Sequence, residues 1–160
     1  MPTAPKPTPG STRTSRCSLR SETRARRSCT RACRQYFEPQ QVEDEKRQKQ
    51  IVTIHGFPFY AAPLDVSPED AAKLRGLLVD DRSFLQWYGT KACGGFHPDY
   101  LAEYRVGGAA FRFLICFGCH EVMVFGPDRS LRCDIQREAY KQLDEILKKY
   151  RKNRPASRGP

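Results

Sequence analysis

Apolar residues are spread unevenly along the chain, and their spacing changes as it proceeds. Residues 1–35 contain no Ile, Val, Phe or Trp and a single Leu, Leu19, too little apolar surface to offset the entropy of ordering a backbone. That stretch is expected to be a disordered arm. Residues 36–50 follow Pro39 with a Gln- and charge-rich run in which Val42 is the only aliphatic residue, which reads as a linker or at best a solvated helix. From Ile51 to Tyr150 aromatic and β-branched residues become frequent, in a span long enough to hide ~60–70% of its unfolded surface around one core. The expected organisation is a disordered basic arm and linker over 1–49, a single domain over 50–150 and a basic tail over 151–160.

Within the domain the period alternates between strand and helix. Ile51 to Ile54, and onward toward Ala62, is extended in character but holds Pro58, which suits an edge position. Ser67-Pro68-Glu69-Asp70 is a helix start: a Ser cap, Pro at the first helical position, and a carboxylate three residues after the Ser to complete a capping box. Ala71, Leu74, Leu77 and Leu78 then share a face, and Phe84 with Trp87 and Leu85 with Tyr88 suggest a second short helix after Asp81. From Phe96 the period becomes two, and Gly107-Gly108 supplies a hairpin turn. A two-residue turn sets Val106 opposite Ala109, Tyr104 opposite Phe111, Ala102 opposite Phe113 and Tyr100 opposite Ile115, with Glu103 meeting Arg112 on the other face. Further strands are expected at Glu121 to Phe125, ended by Gly126-Pro127-Asp128, and at Leu131 to Cys133. Asp134 is the expected cap of a closing helix whose stripe is Ala139, Leu143, Ile146, Leu147 and Tyr150. The fold class that follows is α+β: a small antiparallel β-meander with an N-terminal helical segment and a C-terminal helix packed on one face.

Charge narrows the choice of partners. The net charge is +10, yet residues 1–49 hold 12 Lys/Arg against 5 Asp/Glu and residues 151–160 hold four basic residues and no acid, whereas residues 50–150 hold 12 against 13. Any attraction to nucleic acid or another polyanion therefore belongs to the Arg-rich arm and the tail. No apolar run reaches the ~18 residues needed for a transmembrane segment, and residues 1–35 lack the apolar region of a secretory signal. A cytoplasmic protein is expected. The Arg/Ser/Thr-rich stretch from Ser11 to Arg34 has a transit-peptide composition without the apolar face, which keeps organellar targeting open.

Cysteines offer the chemistry. There are seven, an odd number that fits a reducing compartment better than a complete disulfide framework. Cys116-Phe117-Gly118-Cys119-His120 lies between two strand-like runs, and Cys93-Gly94-Gly95-Phe96-His97 lies just before the first of them. Extending the hairpin register past Asp99 puts His97 opposite Gly118 and Phe96 opposite Cys119, so the two ligand-bearing segments are expected to be neighbours. Zinc takes four thiolate or imidazole ligands in a tetrahedron, and a C-x-x-C turn can present two adjacent sulfurs to it. Cys93, His97, Cys116 and Cys119 make a Cys₃His set, with His120 or Cys133 as alternative ligands. Against this stand inert buried thiols, since an i, i+3 pair on an unbroken strand would face opposite ways, and a disulfide or redox pair. Cys116 to His120 also spells C-x-x-C-H, the c-type haem attachment signature, in a context between strands and without an export signal that argues against haem. No catalytic residues are indicated: there is no supported Ser/His/Asp set, no Walker-type loop and no dinucleotide fingerprint.

The segments Lys91 to Tyr100, Leu114 to Cys119 and Tyr150 to Pro155 resemble segments of small bacterial proteins of unknown function, over about residues 65–155. The resemblance implies no activity, cofactor or site residue. The function expected from the residues is a small non-catalytic domain with a structural Cys/His zinc site that acts through protein contacts. The competing expectations are a thiol- or metal-dependent enzyme using the same cysteines, and polyanion or nucleic-acid binding through the arm.

Overall fold

The computed structural model describes residues 27–31, 39–91 and 95–153. In chain order the elements are β1 (Arg27–Arg31), α1 (Pro39–Gln48), β2 (Ile51–Ile54), β3 (Phe57–Tyr60), α2 (Pro68–Val79), β4 (Phe84–Gln86), β5 (Tyr100–Val106), β6 (Ala109–Cys116), β7 (Glu121–Phe125), β8 (Ser130–Ile135) and α3 (Arg137–Leu147). Six strands form one antiparallel sheet in the order β1-β5-β6-β7-β8-β4, and β2 and β3 form a separate hairpin. The α+β class and the closing helix on one face are as expected from the sequence.

The alternation of β5 and β6 gives the sheet two different faces. Tyr100, Ala102, Tyr104, Phe113 and Ile115 point to the side covered by α2 and α3, where they pack with Leu74, Leu78, Leu143 and Leu147. Leu101, Leu114 and Cys116 point the other way and meet Phe59 and Phe96 under the β2–β3 hairpin. The β5–β6 register matches the expected one rung for rung, from Val106 with Ala109 to Tyr100 with Ile115. The cross-strand pair is made, with Arg112 Nε donating to Glu103 at 2.8 Å, and Gly107 and Gly108 take φ of +57° and +84° in the turn, conformations that cost glycine little.

Several local expectations are corrected. The segment after Ile51 is not an edge strand of the main sheet. His55 and Gly56 both have positive φ, 50° and 85°, and this two-residue turn folds β3 back on β2. The second helix after Asp81 is instead one 3₁₀ turn, Asp81–Ser83, followed by β4, the edge strand beside β8. The Asp80 carboxylate accepts the Arg82 N–H at 3.0 Å, and strand pairing with β8 satisfies the backbone that a helix would have used. Asp134 does not cap α3. It lies in β8, and the Gln136 side chain accepts the Glu138 and Ala139 N–H groups. Two elements precede residue 50, where the domain was expected to begin: β1, which pairs with β5, and α1, whose Glu45 is buried and accepts the Tyr60 hydroxyl at 2.8 Å. A ladder on a sheet edge draws on backbone groups, so composition alone does not reveal it. Residues 1–26 lie outside the described residues, as does most of the tail.

Ser67 accepts the Asp70 N–H at 3.2 Å, as a cap should. The reciprocal half of the box is rerouted. Asp70 accepts Lys149 Nζ at 2.9 Å and the Tyr150 hydroxyl at 2.8 Å, and the Tyr150 oxygen in turn accepts the Ser67 N–H at 3.1 Å. The end of the domain is thereby fastened to the start of α2.

Candidate metal centre

The β6–β7 connection carries the site. Residues 117–120 form the turn between Cys116 at the end of β6 and Glu121 at the start of β7. Breaking the strand at this point removes the objection that cysteines three apart face opposite ways. Cys116 and Cys119 both belong to the hairpin-side core, with 0% and 4% exposure.

The approach to β5 is pinned to this turn by Asp99, which donates its N–H to the Ile115 carbonyl at 2.7 Å and accepts the Phe117 N–H on its carboxylate at 2.8 Å. His97, two residues earlier, is carried over the turn. A Cβ placed on Gly118 would lie 2.9 Å from His97 Nε2, so the ring occupies the space that any other residue at 118 would fill. Glycine is needed here for this close approach; the positive φ that the turn requires falls on His120, at 55°.

The ligand atoms of His97, Cys116 and Cys119 all lie within 4.8 Å of one another, and this group can hold a metal ion. His97 Nδ1 is 3.6 Å from Cys119 Sγ, close to the edge of about 3.5 Å in a tetrahedron with Zn–N about 2.0 Å and Zn–S about 2.3 Å. The Gly95 carbonyl oxygen stands 2.9 Å from the same Nδ1 and 3.2 Å from Cys119 Sγ, so in this arrangement the nitrogen that faces Cys119 is engaged by a carbonyl, a contact it gives up in order to ligate. Cys116 Sγ accepts the Cys119 N–H at 3.2 Å and the backbone N–H of His97. Burial pushes the Cys116 thiol above its ordinary value, those two N–H donors pull it back in part, and the Asp99 and Glu121 carboxylates push it further up. Cys116 is a free thiol, whereas Cys119 is disulfide-bonded.

The remaining expected ligands fall elsewhere. Cys93 lies outside the described residues. Cys133 faces the helix-side core, and burial raises its thiol. His120 is exposed and stacks on Tyr140 with ring centroids 4.0 Å apart. Neither alternative ligand joins the group.

A polar network beside the site was not foreseen. Glu121, fully buried and opposite Cys116 in the ladder, accepts Arg132 at 2.6 and 3.0 Å and Trp87 Nε1 at 3.2 Å. The Arg132 guanidinium also lies 4.6 Å from the Trp87 ring centroid, within cation–π range. On the next strand Asp134 takes Lys91 at 2.9 Å on one oxygen, while its other oxygen is buried with no hydrogen-bond partner among the described residues. The hint in the sequence was Glu121 at an inward-facing position of an otherwise apolar strand.

No family model, curated protein or solved structure matches the chain. No helix among the described residues is long and apolar enough to cross a membrane.

Proposed function

We propose that this chain is a small non-catalytic domain in which Cys93, His97, Cys116 and Cys119 hold a structural zinc ion, and that it works through protein contacts. The observation that carries the reading is the convergence of His97, Cys116 and Cys119 within 4.8 Å, with Cys119 able to ligate only as the reduced thiolate. Cys93 is assigned the fourth position because it stands two residues before Gly95, whose carbonyl touches both His97 and Cys119. Structural zinc sites are closed by four protein ligands, while catalytic ones keep a position open, and the burial of both sulfurs favours the closed kind.

The competing thiol-enzyme reading is the weaker one. A nucleophilic cysteine needs a depressed pKa and access, and burial drives Cys116 in the opposite direction. Covalent haem at Cys116 and Cys119 would need both sulfurs accessible, with His120 free to ligate rather than stacked on Tyr140.

The test is metal analysis of protein purified in reductant. The expected result is about one zinc per chain, together with a melting temperature that falls when a chelator removes it. Metal-free protein whose melting curve ignores the chelator would refute the proposal.

A further inference from the structure

We propose that Asp99 is the positioning residue of the metal centre, its carboxylate holding the imidazole of His97 over the two sulfurs before any ion arrives. The inference rests on the zinc reading above and concerns the three ligands that converge, His97, Cys116 and Cys119. These come from two half-sites. The sulfurs flank Phe117 and Gly118 in the turn after β6, whereas the imidazole comes from the segment ahead of β5, which begins only at Tyr100. Residues 96–98 lie in no strand or helix, and Pro98 has no N–H to offer a ladder. That segment has to be held by something other than sheet pairing.

Asp99 makes the join twice. Its N–H donates to the Ile115 carbonyl at 2.7 Å, which carries the backbone one step past the β5–β6 ladder. Its carboxylate accepts the N–H of Phe117 at 2.8 Å, and Phe117 stands between the two cysteines of the turn. A carboxylate accepting a backbone N–H makes a charge-assisted bond, stronger than a neutral one, and here it runs from two places after His97 to the middle of the C-x-x-C turn. The bond to Ile115 belongs to the backbone and survives substitution; the bond to Phe117 belongs to the side chain and does not. Without the carboxylate, the cost of aligning the two half-sites falls on metal binding, which a preformed site avoids. A loss of about 10–100-fold is expected, the range for outer partners of metal ligands. The Phe117 ring packs in the helix-side core on Tyr100 and Tyr140, with centroids 5.9 and 5.5 Å away. The turn therefore has an anchor of its own, and removing the carboxylate costs alignment rather than the fold.

The experiment uses the full chain, purified in reductant and freed of metal. Zinc affinity is read by competition with a chromophoric chelator, coordination from the visible absorption of the cobalt(II) form, and stability from urea unfolding without metal. Expected for Asp99→Ala are zinc affinity about 10–100-fold weaker and loss of the intense bands of four-coordinate cobalt. Asp99→Asn keeps an acceptor oxygen at the same reach and is expected within about 5-fold of the parent. Ile146→Val trims the helix-side core at a cost comparable to one hydrogen bond and is expected to bind zinc like the parent. Asp99→Ala that binds zinc as tightly as the parent would overturn the positioning role and leave the zinc site standing. So would an equal loss in Ile146→Val, or an Asp99→Asn as weak as Asp99→Ala. If Asp99→Ala does not fold, Asp99→Glu, whose extra methylene displaces the carboxylate, carries the same expectations. A reduced parent that binds no zinc would overturn both.

Discussion

The two faces of the sheet are built from opposite materials. On the helix side Leu74, Leu78, Leu143 and Leu147 close over Tyr100, Phe113, Ile115 and Val122 in an apolar core, where each large buried side chain contributes on the order of 1.5–3 kcal/mol. On the hairpin side a smaller apolar cluster shares its space with His97, two cysteines and the Glu121–Arg132–Trp87 network. Burying polar groups stabilises little unless every one of them is satisfied. The difference teaches that one face is built to hold the fold, while the other carries the group that could hold a metal. The second face should respond to metal and reductant where the first does not.

Mutations can break this contrast. The largest expected effect is from Glu121→Ala, which strands the Arg132 guanidinium and should cost about 3–5 kcal/mol in urea unfolding; a loss under about 1 kcal/mol would mean that the network is incidental. Leu143→Ala should cost about 2–5 kcal/mol, equally with and without chelator, and a chelator-dependent cost would erase the distinction between the faces. Gly118→Ala should leave the stability of the metal-free protein within about 0.5 kcal/mol, because the ring of His97 can swing away from the new methyl. The same variant should bind zinc about 10–100-fold more weakly by competition with a chelator, and unchanged affinity would remove His97 from the ligand set.

The smallest effect concerns Asp70. Hydrogen bonds from Lys149 and Tyr150 hold its carboxyl below the ordinary value. A depressed folded-state pKa contributes stability in full above the unfolded value of about 3.9, and that stability is lost progressively as pH falls from there through the lower folded-state value. Melting temperature should therefore drop on acidification below about pH 4 less steeply in Asp70→Asn than in the parent. Parallel profiles would assign the acid sensitivity to other carboxylates.

What could be read from the sequence was whatever depends on local periodicity. The β5–β6 register followed from Gly107-Gly108 and the Glu103–Arg112 pair, and extending it brought His97 over Gly118, where the structure has it. What could not be read depended on tertiary partners. Phe84 and Trp87 repeat at helical spacing, but β8 offers a ladder that makes Phe84–Gln86 a strand, and Trp87 goes to Glu121 instead. The His55-Gly56 pair is a hairpin signal in the sequence, but the prolines around it favour an edge strand instead. The role of Asp99 in pinning the turn requires knowing that two separate backbones meet at its carboxylate. Cys133 enters the sequence reading only as an alternative ligand, and the facing of β8 toward the helix-side core removes it.

The most direct test of the central claim is zinc K-edge X-ray absorption on the reduced, zinc-loaded chain. The account predicts a four-coordinate ion with about three sulfurs near 2.3 Å and one nitrogen near 2.0–2.1 Å. A shell of oxygen alone, or with no sulfur, would contradict it.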